Sequence, residues 1–194
     1  MNWAKPLAVA TLFAVFLSGC ALSPGKGSGS SGTGLPGADP ALQKAFTEAV
    51  NLMQEGNTGE ARTRFLKLAK DYPERTGPLA NLGVLAYQAG NPDEARGYFE
   101  AVITLDPEHE AALNYLGVIA RLDGDFEKAE AYYLKALEAD PDYLPAMLNL
   151  GILLDIYLGR PAEAIPLYEQ YQSRAPDMQP GLEDWIFDAK NRLQ

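Results

Sequence analysis

The chain has 194 residues, of which 47% are hydrophobic, and its formal net charge at neutral pH is −10. This length accommodates one ordinary domain or a short repeat array, and the hydrophobic fraction suffices for a packed core. The acidic balance argues against a nucleic-acid partner, because binding to phosphates draws mainly on Lys and Arg. A single Cys and a single His exclude an intramolecular disulfide and any metal site built from several Cys or His. We therefore expect no metal, no cofactor and no enzymatic activity.

The N-terminus carries the features of an export signal. Lys5 precedes an eleven-residue apolar run at residues 7–17, which is too short for a bilayer-spanning helix of about 20 residues. Its length and the small residues that follow it fit a secretory signal. The sequence LSGC at residues 17–20 resembles the lipobox of bacterial lipoproteins and ends in the only cysteine, Cys20.

The lipoprotein resemblance implies that residues 1–19 are removed and that Cys20 is acylated, with palmitate among the acyl chains. Several acyl chains anchor a protein to a membrane stably, whereas a single chain binds only marginally. In the Gram-negative members of the family, Asp after the cysteine favours retention in the inner membrane, and this chain has Ala21. If the source is Gram-negative, the resemblance implies an outer-membrane lipid anchor with the domain facing the periplasm. The alternative is an ordinary signal peptide with an incidental thiol.

A spacer separates the predicted lipid anchor from the rest of the chain. Residues 21–38 contain six Gly and four Ser, a composition that cannot bury a core and is typical of a flexible coil. We therefore interpret residues 20–38 as the lipidated cysteine followed by a tether.

Residues 42–178 repeat with a period close to 34 residues. An alanine recurs at intervals of 34, 34 and 35 residues, at Ala61, Ala95, Ala129 and Ala164. An aromatic residue stands four positions after each alanine, at Phe65, Phe99, Tyr133 and Tyr168. A proline stands twelve positions after each alanine, at Pro73, Pro107, Pro141 and Pro176. Each unit has two apolar stripes at helical spacing with a short turn between them, which predicts two packed helices. A small residue such as Gly83 lets these helices approach closely, and Phe99 then fills the space towards the next unit.

This pattern resembles the tetratricopeptide repeat. The resemblance implies an all-α fold, a right-handed superhelical array of four helix pairs with a C-terminal capping helix. The units span residues 42–75, 76–109, 110–143 and 144–178. The fourth unit has one extra residue, which we expect in the turn near residues 158–160. His109, at the end of the second unit, is expected to be a solvated loop residue.

The capping helix is predicted at residues 180–194. Leu182, Trp185, Ile186 and Ala189 follow the spacing of one helix face, and we expect this stripe to cover the apolar face of the fourth unit. The alternative is that Trp185 and Phe187 bind a partner.

The resemblance also implies a binding surface for a protein or peptide segment. In the family, the first helix of each pair lines the concave side of the superhelix. The residues assigned to this groove are Phe46, Val50, Met53, Asn81, Val84, Tyr87, Gln88, Asn114, Val118, Arg121, Leu148, Asn149, Ile152 and Asp155. The same assignment places Leu122 and Ile156 on this side. The groove is largely apolar, so we expect a segment with apolar anchors.

Some of these side chains have an alternative role in packing between the repeats. This alternative applies to Val50, Val84, Val118 and Ile152. Asn114 and Arg121 are expected on an accessible face instead, because polar groups favour contact with water.

Two functions fit this architecture. The first is a scaffold in the assembly of an envelope machine, since the architecture resembles the pilot lipoproteins of type IV pili, which escort a secretin ring. The second is an adaptor that recruits or regulates a peptidoglycan hydrolase or a protease. The flexible tether slightly favours the adaptor, and four repeats are fewer than is usual in pilot proteins of the pilus type. Homodimerisation through the first or last repeat is left open.

Overall fold

The computed structural model describes residues 39–175 and 179–194, and every regular element in these ranges is helical. The predicted signal, Cys20, the tether and Pro176 lie outside the described residues. The elements are α1 Pro40–Gln54, α2 Thr58–Asp71, α3 Thr76–Gln88, α4 Pro92–Leu105, α5 Glu110–Leu122, α6 Phe126–Ala139, α7 Leu144–Ile152, a π-helical turn Leu153–Tyr157, α8 Pro161–Arg174 and α9 Leu182–Asn191. Within the described ranges, none of the helices has both the length and the hydrophobicity that crossing a lipid bilayer requires.

The helices pack in chain order. Helices α1 and α2, α3 and α4, α5 and α6, and α7 and α8 form pairs, and the second helix of each pair contacts the first helix of the next. The last helix, α9, packs on α8. The predicted all-α array of four helix pairs and a C-terminal capping helix is confirmed.

Each helix pair is joined by a tight turn that contains a glycine with positive φ. These glycines are Gly56, Gly90, Gly124 and Gly159, with φ of 82°, 78°, 81° and 63°. Glycine adopts this left-handed conformation without the steric penalty of a Cβ atom, and it commonly follows a helix C-terminus for that reason. The chain therefore reverses direction at the same point of every unit.

The helices of a pair approach most closely where a glycine faces an aromatic ring. An ideal Cβ atom on Gly117 would lie 2.5 Å from Cε1 of Tyr133, and one on Gly83 would lie 2.7 Å from the ring of Phe99. Both rings are fully buried, so they have little room to move. Phe99 also stacks on Tyr115 of the next pair, with 4.7 Å between ring centroids. The prediction for Gly83 and Phe99 is therefore confirmed.

The extra residue of the fourth unit lies in its first helix. Helix α7 continues into the π turn, where the N–H of Leu158 donates to the carbonyl of Leu153. Gly159 then adopts the same left-handed conformation as the other turn glycines. A π turn holds more residues than an α-helical turn, so it absorbs the insertion while the geometry of the reversal is kept. The predicted insertion site near residues 158–160 is therefore wrong.

His109 is buried and starts a helix. Its side chain is 4% exposed, and its Nδ1 atom accepts a hydrogen bond from the N–H of Ala112 at 3.3 Å. A side-chain acceptor at this position satisfies one of the unpaired N–H groups of the first helical turn. The prediction of a solvated histidine is wrong because the residue caps α5.

Candidate protein-binding surface

The residues assigned to the groove lie on α1, α3, α5, α7 and the π turn. Most of them are buried, namely Phe46, Met53, Asn81, Val84, Asn114, Val118, Arg121, Leu148 and Asp155. The half-buried members are Val50, Tyr87, Asn149 and Ile152, and Gln88 is exposed. Neighbouring helices thus cover the first group, and only the second group is open to a partner.

Asn114 holds two repeats together. It is 5% exposed, and its Oδ1 atom accepts a hydrogen bond from Nδ2 of Asn149 at 2.9 Å. This bond links α5 to α7, because the two amides face each other between neighbouring first helices. The predicted accessible position for Asn114 is therefore wrong, since its polar group is satisfied inside the protein.

Arg121 lies in a cluster of tyrosines. Its Nε atom donates to the hydroxyl of Tyr133 at 3.4 Å, and Nη1 donates to the hydroxyl of Tyr157 at 3.2 Å. The guanidinium carbon is 5.4 Å from the centroid of the Tyr157 ring, within the range of a cation–π interaction. Burial raises the pKa of the nearby Tyr87, an effect that Arg121 opposes. Arg121 is 9% exposed, so its predicted accessible position is also wrong.

The tyrosine cluster makes stability depend on pH in the alkaline range. Burial raises the pKa of Tyr133 from 10 to about 12, although Arg121 lowers it. Because the folded pKa exceeds the unfolded one, the neutral phenol stabilises the fold below pH 10, and this contribution is lost as the pH rises to about 12. It amounts to at most about 3 kcal/mol.

We expect the midpoint of urea unfolding to fall as the pH is raised through this window, and to fall less in Tyr133→Phe, which lacks the titrating hydroxyl. Equal falls in both proteins would contradict the assignment. Burial also raises the pKa of Tyr168, so a residual fall is expected in the variant.

Asp155 links the π turn to the capping helix through an ion pair. Its side chain is 2% exposed and forms an ion pair with Arg192, just beyond the end of α9. Burial raises the pKa of Tyr168 on α8, and the nearby carboxylate of Asp155 raises it further. A buried carboxylate is costly without a cationic partner. The ion pair therefore supplements the apolar stripe by which α9 packs on the array.

The apolar stripe of α9 faces the array as expected. Leu182, Ile186 and Ala189 are buried, and the ring of Trp185 lies 6.2 Å from that of Tyr168. Phe187 is exposed and Trp185 is half-buried, so Phe187 offers more surface to a partner than Trp185 does.

Exposed large apolar side chains lie at the C-terminal ends of two neighbouring first helices, on α5 and on the π turn that continues α7. Among the described residues, Leu122, Ile156 and Tyr157 are 49%, 58% and 37% exposed. The Tyr157 ring lies 5.1 Å from that of Phe126, and its hydroxyl contacts the residue that precedes Leu122. We call Leu122, Phe126, Ile156 and Tyr157 the turn-edge patch. The other exposed large hydrophobic residues are scattered over α2, α4, α6, α9 and the C-terminus.

Only part of the turn-edge patch can be predicted from the sequence. Leu122 and Ile156 follow from the repeat pattern, but Phe126 and Tyr157 do not. Tyr157 reaches Phe126 from the π turn, and the only sequence signal for that turn is the one extra residue of the fourth unit.

Apolar area is the main chemical feature of the turn-edge patch. In the two described ranges, no group of three His, Cys, Asp or Glu side chains is arranged to hold a metal ion. The turn-edge patch offers apolar area and the tyrosine hydroxyl of Tyr157, which favour association through burial of apolar surface.

Comparisons with known proteins agree with this architecture. A family model described as tetratricopeptide repeat matches residues 46–101 and 80–143, together about half of the chain. A search among curated protein sequences returned no match.

Solved structures with a similar fold include PilF of Pseudomonas aeruginosa, which is 21% identical with a TM-score of 0.68 over 79% of this chain and 69% of that chain. MamA is 22% identical with a TM-score of 0.64 over 75% of this chain and 84% of that chain. The O-GlcNAc transferase of Thermobaculum terrenum is 22% identical with a TM-score of 0.62 over 69% of this chain and 26% of that chain. At these identities the similarity shows a common fold.

Proposed function

Because the chain belongs to the tetratricopeptide repeat family, we propose that it is a protein-interaction scaffold anchored in the outer membrane through a lipid on Cys20. The envelope machine that it helps to assemble is of the pilus or secretin type, and its helical domain faces the periplasm. A fold alone does not fix a function, so the proposal depends on the surface. The observation that carries it is the turn-edge patch, where Leu122, Ile156 and Tyr157 expose apolar area on a chain with a net charge of −10.

The envelope location is proposed from the sequence of the N-terminus. The apolar run at residues 7–17 is followed at once by Cys20 and then by a Gly/Ser-rich spacer. A lipid anchor followed by a spacer would let the helical array reach partners at some distance from the membrane surface.

The contacts between repeats favour a rigid scaffold. The Arg121 cluster joins the third and fourth units, and the pair of Asn114 and Asn149 joins the same units. Arg62 on α2 bonds to Glu94 on α4 at 2.5 Å, which ties the first unit to the second. A surface held in one conformation loses little conformational entropy on binding a partner.

The second candidate is an adaptor for a peptidoglycan hydrolase or a protease. The composition of residues 21–38 favours it, because a Gly/Ser-rich tether gives a bound enzyme freedom to move. The two candidates use the same anchor and differ in the partner.

The lipid anchor is tested by labelling cells with radioactive palmitate and separating their membranes. We expect label in the wild-type protein and in the outer-membrane fraction. Cys20→Ser should remove the label and prevent removal of residues 1–19. A Cys20→Ser protein that is processed like the wild type would contradict lipidation and support an ordinary signal peptide.

The two candidates are separated by the phenotype of a deletion strain. A scaffold for a secretin-type machine predicts fewer detergent-resistant secretin multimers in the outer membrane and an unchanged muropeptide profile. An adaptor for a peptidoglycan hydrolase predicts an unchanged amount of secretin multimers and an altered muropeptide profile. Complementation with the wild-type chain should restore either phenotype, whereas Cys20→Ser should not.

A further inference from the structure

We propose that the turn-edge patch binds a basic amphipathic helix of a partner protein. Its apolar residues would contact Leu122, Ile156 and Tyr157, and its cations would face the carboxylates of the turn between α5 and α6. This inference rests on the proposed function and adds the chemistry of the partner.

The π turn creates the apolar half of this site. Its first three residues, Leu153 to Asp155, are buried, while Ile156 and Tyr157 are exposed. The side chain of Asp155 is held inside by Arg192, which fixes the orientation of the two residues that follow it. π turns within α-helices frequently occur at functional sites.

Tyr157 is held in place before any partner binds. Its hydroxyl accepts a hydrogen bond from Arg121, and its ring packs against Phe126. An aromatic side chain fixed in this way presents a large contact area at little cost in conformational entropy. The patch is therefore a preformed contact surface at the boundary of the third and fourth units.

Carboxylates border the patch. Asp123, Asp125 and Glu127 are exposed and flank Leu122 and Phe126 along the chain. The carbonyl groups at the end of α5 add negative potential at the same place.

Two of the cations close to this turn are paired with carboxylates. Arg96 bonds to Asp123 at 2.6 Å, and Arg160 bonds to both Glu130 and Glu163. Two others lie beside the patch: Arg121 is 9% exposed and donates to tyrosine hydroxyls, and Nζ of Lys128 lies 5.8 Å from the centroid of the Tyr132 ring. The acidic groups beside the apolar residues are Asp125, whose Oδ1 atom accepts a hydrogen bond from the N–H of Lys128, and Glu127. A partner segment with Lys or Arg would complement them.

The charge of the whole array favours the same partner. Residues 39–194 contain all 26 acidic residues of the chain and 14 of its 16 basic residues, a net charge of −12. A negative field of this kind speeds the approach of a basic partner and slows that of an acidic one. It also disfavours a second copy of this chain, which would carry the same charge to the interface.

The test uses the mature lipidated protein in nanodiscs of phosphatidylcholine, with empty nanodiscs as the blank. Three fluorescent helical peptides of about 18 residues, or five turns, serve as probes. One has a leucine face and a lysine face, the second has glutamate in place of lysine, and the third has glutamine in place of leucine. We expect the Leu/Lys peptide to bind at least about tenfold more tightly than either of the others, since it alone offers both apolar area and positive charge.

Matched variants locate the binding site. Leu122→Asn together with Ile156→Asn should weaken binding of the Leu/Lys peptide about tenfold. Leu66→Asn together with Leu134→Asn, which changes equally exposed leucines on α2 and α6, should leave binding unchanged. Equal losses in both double variants, tight binding of the Leu/Glu peptide, or no binding of the Leu/Lys peptide would overturn the inference.

Sedimentation of the same proteins tests whether a second copy of this chain occupies the turn-edge patch instead of a basic helix. A wild-type dimer that Leu122→Asn and Ile156→Asn dissociate would identify a second copy as the occupant and overturn the basic helix. If the peptides fail while cellular crosslinks from the first helices still capture envelope proteins, the inference falls and the scaffold function stands. If the peptides bind at the patch but no cellular crosslinks form, the proposed function falls instead.

Discussion

Replacing Gly117 with alanine should lower the free energy of unfolding by about 2 kcal/mol, the middle of the range for overpacked cores. The new Cβ atom would lie 2.5 Å from Cε1 of Tyr133. The ring is fully buried and its hydroxyl accepts a hydrogen bond from Arg121, so the ring has no free direction in which to move. Urea unfolding monitored by circular dichroism measures the change.

Gly97 provides the matched control. It also lies within a helix, α4, but a Cβ atom there would meet nothing within 4 Å. Gly97→Ala should therefore raise the free energy of unfolding by about 1 kcal/mol, which is the difference in helix propensity between the two residues. Changes of the same sign in Gly97→Ala and Gly117→Ala would show that the contact between Gly117 and Tyr133 does not limit the packing of the helix pair.

Arg192→Ala should destabilise the C-terminal half of the array by about 2 kcal/mol. The substitution leaves the carboxylate of Asp155, whose side chain is 2% exposed, without its cation. Removing one partner of a buried ion pair costs about 3–5 kcal/mol. We expect a smaller cost here because the Arg192 side chain is 48% exposed. The fluorescence of Trp185 reports on α9, since the only other tryptophan, Trp3, lies in the predicted signal.

Two further variants test the mechanism of this effect. Lys190 on α9 pairs with Glu169 at 2.7 Å, and both side chains are about half exposed, so Lys190→Ala should cost no more than about 1 kcal/mol. In the background of Asp155→Asn, which removes the buried charge, Arg192→Ala should cost less than it does in the wild type. An undiminished cost in that background would show that Arg192 acts through packing alone.

The regular part of the fold could be predicted because each unit encodes its own two helices. The contact between Gly83 and Phe99 recurs as Gly117 with Tyr133, so the close approach of the helices can be read from a spacing in the sequence. Such contacts depend on residues within one unit, and the repeat keeps those residues in register.

Contacts between units could not be predicted in the same way. The burial of Asn114 and Arg121 depends on how closely α5 and α7 approach and on where the π turn places Tyr157. The capping role of His109 is local, but it depends on α5 beginning directly after this residue, and a position between two glutamates does not reveal that. The burial of Asn114 and Arg121 arises from the stacking of units, which the spacing within one unit does not specify.

The candidate site combines both kinds of information. The repeat pattern places Leu122 and Ile156 on the side of the first helices, and the insertion in the fourth unit adds Tyr157 to the same surface. The insertion that interrupts the period thus shapes the surface for which we propose a partner.

Photo-crosslinking in living cells, with the lipid anchor intact, tests the central claim most directly. A photoreactive amino acid is placed at Gln88 or Ile156, both exposed on the side of the first helices, or at Lys135, exposed on α6 and more than two turns away from Phe126. We expect protein adducts from Gln88 and Ile156 and none from Lys135, with secretin or pilus subunits identified by mass spectrometry. Peptidoglycan enzymes or a protease in these adducts would support the adaptor instead. Adducts from Lys135 alone would contradict the proposed surface, because the binding surface would then lie on the second helices.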